Sequence, residues 1–305
     1  MKWMLCLCLL VLPIGSMYGQ VLLVHDGDDK ASRAIGHRLT NYVEDVSLRS
    51  QKLDDFLQDS ASNDPLSTII TLGANAFQQV CQQRDQPVVI AMLLGMEEYD
   101  AIKDSCQSHS TAVFAGAKLA LRLSLLKQIL PNTQRIGLLY SDALLLNEAS
   151  YQQQAGEQGM RFVFRKTAND RRSVMRAVNG LLVETDVIFS VVDTGLYQPQ
   201  VAQEVLRLMF HQKRIMLGTS DNFVKAGALY AIYSDIDSQI QGVAEILKSL
   251  AVPAETVMQP FYPKQMKVAF NPYLVRTFGI VLPSSGYLES VFGLCPESGC
   301  AKAPH

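Results

Sequence analysis

Short β-type runs alternate with helical runs of about ten to fifteen residues along most of this chain, and no other feature limits its fold as tightly. Strands are expected at 20–25, 67–72, 87–94 and 111–115, with helices at 30–43, 74–83 and 118–130 between and after them. The run 87–94 is apolar throughout, as in a strand buried on both faces of a parallel sheet. The helix at 118–130 stops before Pro131, which cannot continue it. The alternation then starts afresh. Strands are expected at 135–140, 161–165, 187–192, 214–218, 228–233 and 266–270. Helices are expected at 145–158, 170–183, 198–211, 220–225 and 235–250, with a short one from Pro272. Strands joined through helices of this length make βαβ units and parallel sheets. Two such series predict an α/β protein of two Rossmann-like lobes with a cleft between them. The stretch from Ser284 onward reads as a loop-like tail.

The N-terminus reads as a cleaved secretory signal over residues 1–19. Lys2 precedes an apolar run at 5–14, which is too short to span a bilayer, and small residues follow at Gly15, Ser16 and Gly19. The product is expected to be a soluble exported protein beginning near Gln20. The formal net charge is −2, and no basic cluster exceeds Arg171-Arg172, so a nucleic-acid partner is not expected. Cys81, Cys106, Cys295 and Cys300 lie beyond the signal. In an oxidising compartment this even set suggests two disulfides. Four cysteines allow three pairings, and proximity favours Cys81–Cys106 and Cys295–Cys300. A zinc site competes weakly: the spacings are not C-x-x-C, although His109 sits three residues past Cys106. No metal is expected.

Motifs for common enzymes are absent. There is no phosphate-binding G-x-x-x-x-G-K-[ST], no G-x-G-x-x-G, no H-E-x-x-H and no G-x-S-x-G elbow. Ser124-x-x-Lys127 and Ser220-Asp221-Asn222 imitate two serine β-lactamase elements. The only candidate for the third, Lys166-Thr167-Ala168, comes too early and lacks its glycine. The chain therefore reads as a binding protein with no catalytic residues and no cofactor.

In an open parallel α/β sheet, ligands sit outside the carboxyl ends of the strands, where helix N-termini and loop amides converge. Strand ends here supply His25, Asn75 and Leu94 in the first half. In the second half they supply Tyr140, Asp193, Thr194, Ser220, Asp221 and Asp235. These nine are the candidate ligand-binding residues. Asp193, Ser220 and Asp235 also precede helices, where capping alone would favour them. The set has carboxylates, hydroxyls, an amide and a phenol but no Arg or Lys, which suits an amine or a neutral polar group rather than a phosphate.

The run Leu130-Pro131-Asn132 … Arg135-Ile136-Gly137-Leu138-Leu139-Tyr140 resembles a segment of the ABC-transporter substrate-binding proteins of the tryptophan/tyrosine-binding type. Three later segments agree with that family in order: Val192-Asp193-Thr194, Ser220-Asp221 … Gly227-Ala228, and Asn271 … Phe278-Gly279-Ile280 … Pro283. The likeness covers roughly residues 85 to 283. Thr194 stands where the family often carries Asn. The resemblance implies the type I periplasmic-binding-protein fold, with lobes at 20–116 plus 235–252 and at 117–234 plus 253–283, followed by a tail at 284–305. It also implies binding positions at Asp193, Ser220-Asp221 and Asp235. A monomeric periplasmic protein is then expected, passing a small-molecule ligand to an ABC permease in the inner membrane. The alternative is a periplasmic sensor or assembly subunit of the same fold that binds a protein partner.

Overall fold

The computed structural model describes residues 20–43, 46–58, 68–83, 88–107, 109–250 and 258–297. The expected signal at 1–19 and Cys300 lie outside the described residues. The first lobe runs β1 (Val21–His25), α1 (Asp29–Thr40), β2 (Leu48–Lys52), α2 (Leu53–Gln58), β3 (Thr68–Leu72), α3 (Ala74–Cys81), β4 (Val88–Met92), α4 (Met96–Ile102) and β5 (His109–Val113). Its five strands are all parallel, in the order β2-β1-β3-β4-β5. The apolar run at β4 lies inside the sheet between β3 and β5, and its side chains are buried on both faces. Ile90 and Met92 share a core with Ile240 and Val243, and Val89 and Ala91 share one with Phe77 and Val80 of α3. Local signals start and stop the helices as their chemistry requires. Asp28 caps α1 by accepting the N–H groups of Lys30 at 2.6 Å and Ala31 at 3.1 Å.

The second lobe runs α5 (Leu119–Ile129), β6 (Arg135–Ser141), α6 (Glu148–Glu157), β7 (Arg161–Thr167), α7 (Arg171–Glu184), β8 (Val187–Phe189), α8 (Pro199–His211), β9 (Ile215–Leu217), α9 (Asp221–Ala226) and β10 (Tyr230–Tyr233). The parallel sheet is ordered β7-β6-β8-β9. Gly159, at φ +68°, follows the end of α6, a backbone setting that a Cβ would strain. After β10 the chain crosses back. Helix α10 (Ile236–Leu250) joins the first-lobe core, where Ile240, Val243 and Ile246 are buried against Ile70 and Ile90. It then returns as β11 (Met266–Phe270), antiparallel to β10, followed by α11 (Pro272–Thr277), α12 (Ser285–Phe292) and β12 (Leu294–Pro296).

The structure departs from the sequence reading in three places. The pair β2 and α2 has no counterpart in it, because LRSQK is polar and half-exposed at the sheet edge and shows no apolar run. Helix α4 likewise matches none of the expected helices. The tail beyond Ser284 is not loop-like: α12 buries Leu288, and β12 pairs in parallel with β11 through Met266↔Leu294. Ser284 caps α12 by accepting the Tyr287 N–H at 3.3 Å.

Three chain segments cross between the lobes, side by side. The Phe114 N–H donates to the Phe261 carbonyl at 2.9 Å, and the Phe261 N–H to the Ala112 carbonyl at 3.0 Å. The Ser234 hydroxyl donates to the Phe114 carbonyl at 2.8 Å. These bonds fix the crossovers to one another while leaving few residues to set the angle between the lobes.

Candidate functional site

The carboxyl ends of both parallel sheets face each other across the seam between the lobes. Beyond β4 the chain turns through Leu93, which holds φ +61°, and its N–H donates to the Gln239 side chain of α10 at 3.0 Å. That turn starts α4 with two glutamates at the seam. Glu98 reaches back to accept the Gly95 N–H at 2.9 Å through Oε2. Its other oxygen, Oε1, accepts the N–H of Thr194 at 2.8 Å and the Thr194 hydroxyl at 2.7 Å from the opposite lobe. Burial pushes the Glu98 carboxyl pKa up, opposed by the hydrogen bonds from Thr194 and Gly95. Glu97, 8% exposed, accepts the Tyr151 hydroxyl of α6 across the seam. Its carbonyl accepts the Leu145 N–H at 3.3 Å.

From the second lobe, Arg122 lies on the buried side of α5 and is 6% exposed. Its Nη2 donates to the Gly218 carbonyl at 3.1 Å, and its Cζ sits 3.8 Å from the centre of the Phe189 ring. Burial pushes its guanidinium below the usual range. Burial raises the Tyr151 and Tyr262 hydroxyls, so both stay neutral, and the nearby Glu97 charge adds to the effect. Gly95, Glu97, Gly116, Arg122, Tyr151 and Tyr262 help to line a void of about 20 Å³, room for about one water. The lobes meet closely beside it: a Cβ on Gly95 would fall 2.8 Å from Val192 Cβ.

Among the nine candidate ligand residues, Thr194 has a hydrogen bond across the lobes. Asp193, 3% exposed, serves its own lobe: its carboxylate accepts the Ser141 N–H at 2.8 Å and the Leu196 N–H at 2.9 Å. Tyr140 donates to Glu148 at 2.5 Å, which with burial raises its hydroxyl to about 12. Asp221 pairs with Lys225, and Ser220 is the residue before α9. Asp235 pairs with Lys267 and accepts the Ser238 N–H at 2.8 Å, tying the return crossover. Asn75 donates to Asp26 at 2.9 Å, Leu94 is fully buried in the first-lobe core, and His25 is buried with Nε2 3.8 Å from Asp29.

The seam residues Glu97, Glu98, Arg122, Tyr151 and Tyr262 lay outside the strand-end reasoning. They come from helices and from the return crossover. The strand-end set holds no Arg or Lys, and Arg122 reaches the void from a helix. The usable signals were an acid pair directly after the buried β4 run and one arginine amid the leucines of 119–126. Cys81 and Cys106 form the expected disulfide. Cys295 is disulfide-bonded, while its expected partner Cys300 lies outside the described residues. No helix among the described residues is long and apolar enough to cross a membrane.

No family model matches the chain. No curated protein matches it either. Solved structures do. An ABC domain in complex with L-Trp from Streptococcus pneumoniae shares 16% identity over 90% of this chain and 100% of its own, with a TM-score of 0.65. A conserved domain protein from Vibrio cholerae shares 15% over 91% and 99%, with a TM-score of 0.66. The ligand-free, open structure of a substrate-binding protein with adhesive properties from Clostridium difficile shares 13% over 91% and 98%, with a TM-score of 0.59. These likenesses, together with the two parallel sheets, show the type I periplasmic-binding-protein fold.

Proposed function

We propose that this chain, a two-lobed type I periplasmic-binding-protein fold, is the solute-binding component of an ABC importer. In this reading residues 1–19 are removed on export. The periplasmic monomer then closes on a small polar solute and delivers it to an inner-membrane permease. The observation that supports it best is the buried polar set where the two sheets face each other. The buried Glu97 and Glu98 come from one lobe and the buried Arg122 and Tyr151 from the other, where the more exposed Thr194 also bonds Glu98. Buried charges at the carboxyl ends of parallel strands suit ligand capture. The present void holds about one water, so a solute enters only when the lobes part about the three crossovers. A solute touching both lobes binds the closed state better and shifts the population toward it.

A thermal-shift screen of the mature protein against amino acids, sugars, nucleosides and small organic acids tests this. At 100-fold excess over Kd, a true solute adds about 2.7 kcal/mol of stability. A midpoint unmoved by every class removes the reading.

A second reading rests on a different observation. The Glu98–Thr194 and Glu97–Tyr151 bonds join the lobes without any solute, as a platform for a protein partner would require. The chain would then be a sensor or assembly subunit of the same fold. A silent solute screen leaves that reading ahead.

A further inference from the structure

Arg33 on α1 and Arg49 on β2 line one groove of about 890 Å³ on the flank of the first lobe, where β2 is the edge strand. The groove follows α1 and β2 along their length and shares no lining residue with the void at the seam. Its walls are held close: a Cβ on Gly36 of α1 would fall 2.8 Å from Leu48 Cδ2 of β2. Among the described residues neither arginine makes an ion pair or a side-chain hydrogen bond. Asp28 uses its carboxylate to cap α1, and Arg33 only adds to the backbone bonds from Ala31 and Lys30 that lower its pKa.

His25 lines the same groove and is 3% exposed. Its Nε2 lies 3.8 Å from Asp29, which also stands 3.6 Å from Lys52 at the carboxyl end of β2. Its buried Nδ1 has no hydrogen-bond partner among the described residues, and neither has Oδ1 of Asp29. Buried polar atoms left unmatched cost free energy, so these two call for a ligand with polar atoms of its own. Asp55 is the other carboxylate of the lining.

We propose that this groove is a second binding site, separate from the seam, for a small phosphorylated polyol such as a sugar phosphate. The phosphoryl group lies between Arg33 and Arg49, whose guanidinium forks match its oxygens and whose charges it neutralises. Hydroxyl groups of the carrier donate to Asp29 and Asp55, which would only repel a bare anion, and a ligand oxygen meets Nδ1 of His25. The groove has the volume of a small-molecule site, for which about 300–1,000 Å³ is usual.

Calorimetric titration of the mature protein with glucose 6-phosphate and glycerol 3-phosphate tests this, with glucose, glycerol and inorganic phosphate as controls. At least one ester is expected to bind at least tenfold tighter than all three. Arg33→Gln and Arg49→Gln, both at exposed positions, are each expected to weaken that binding at least fivefold. Arg207→Gln, which removes one positive charge from the exposed face of α8, is expected to leave it unchanged. Esters that bind no tighter than their parent polyols, or that bind equally to both groove variants and the wild type, overturn the proposal. Binding to phosphatidic acid vesicles but to neither soluble ester would assign the phosphate to a lipid and overturn it too. The solute screen is independent of these results, so either reading can fail while the other stands.

Discussion

One oxygen of Glu98, on the first lobe, accepts both the backbone N–H and the hydroxyl of Thr194, on the second. A carboxylate is thereby buried at the seam of the two lobes, beside the buried Glu97. Its other oxygen caps the Gly95 N–H, so the same side chain fixes the start of α4 and the closure of the lobes.

That burial makes stability depend on pH. Because burial raises the folded-state pKa of Glu98, the folded protein binds its proton more tightly than the unfolded chain does. The Glu98 contribution to stability is therefore greatest at acid pH and falls as pH rises from the unfolded value through the raised folded one. Thermal midpoints of the wild type and Glu98→Gln, measured from pH 4 to pH 8, check this. The wild-type midpoint is expected to decline relative to the variant as pH rises. A difference that stays flat or grows in the wild type's favour contradicts it.

Asp193 holds the second lobe together from inside. Both of its oxygens accept buried backbone N–H groups, one at the end of β6 and one in the loop leading to α8. Asp193→Ala leaves both donors unmatched, at a cost of roughly 2–4 kcal/mol. Chemical denaturation of the two proteins is expected to show that loss with or without solute. A stability change under 0.5 kcal/mol, taken roughly as the noise of a surface substitution, contradicts this structural role.

The Cys81–Cys106 bond joins the end of α3 to the segment before β5 across 25 residues. Replacing both cysteines by Ala is expected to destabilise the first lobe by about 3 kcal/mol in the chain-entropy account. Calorimetry of the double variant checks it, and an unchanged midpoint speaks against a structural role.

Mass spectrometry of the exported protein under non-reducing conditions is expected to find an N-terminus near Gln20 and no alkylatable thiol. A retained residue 1 or an alkylated Cys81 contradicts the reading of the N-terminus or of the cysteines.

Periodicity carried most of the fold because buried parallel strands leave long apolar runs, as at β4, and cores pack on both faces. The edge strand β2 left no such run, since one side of it meets solvent. The site was less legible. Strand-end logic found Thr194, because that position abuts the seam directly. It missed Arg122 and Tyr151, which reach the void from helices, and Glu98, whose role depends on how the two lobes meet. Side chains such as Asp193 and Tyr140 sit at strand ends yet are consumed by bonds within their own lobe, and sequence position alone does not separate the two cases.

The central claim is that the two lobes close on a solute between Glu97, Glu98, Arg122 and Tyr151. Small-angle scattering of the mature protein, with and without saturating amounts of the solute that most raises its thermal midpoint, tests it directly. The account predicts a smaller radius of gyration with solute, and a larger solute-free radius in Thr194→Val, which loses the hydroxyl bond to Glu98. An identical radius in all three states would contradict the closing cleft.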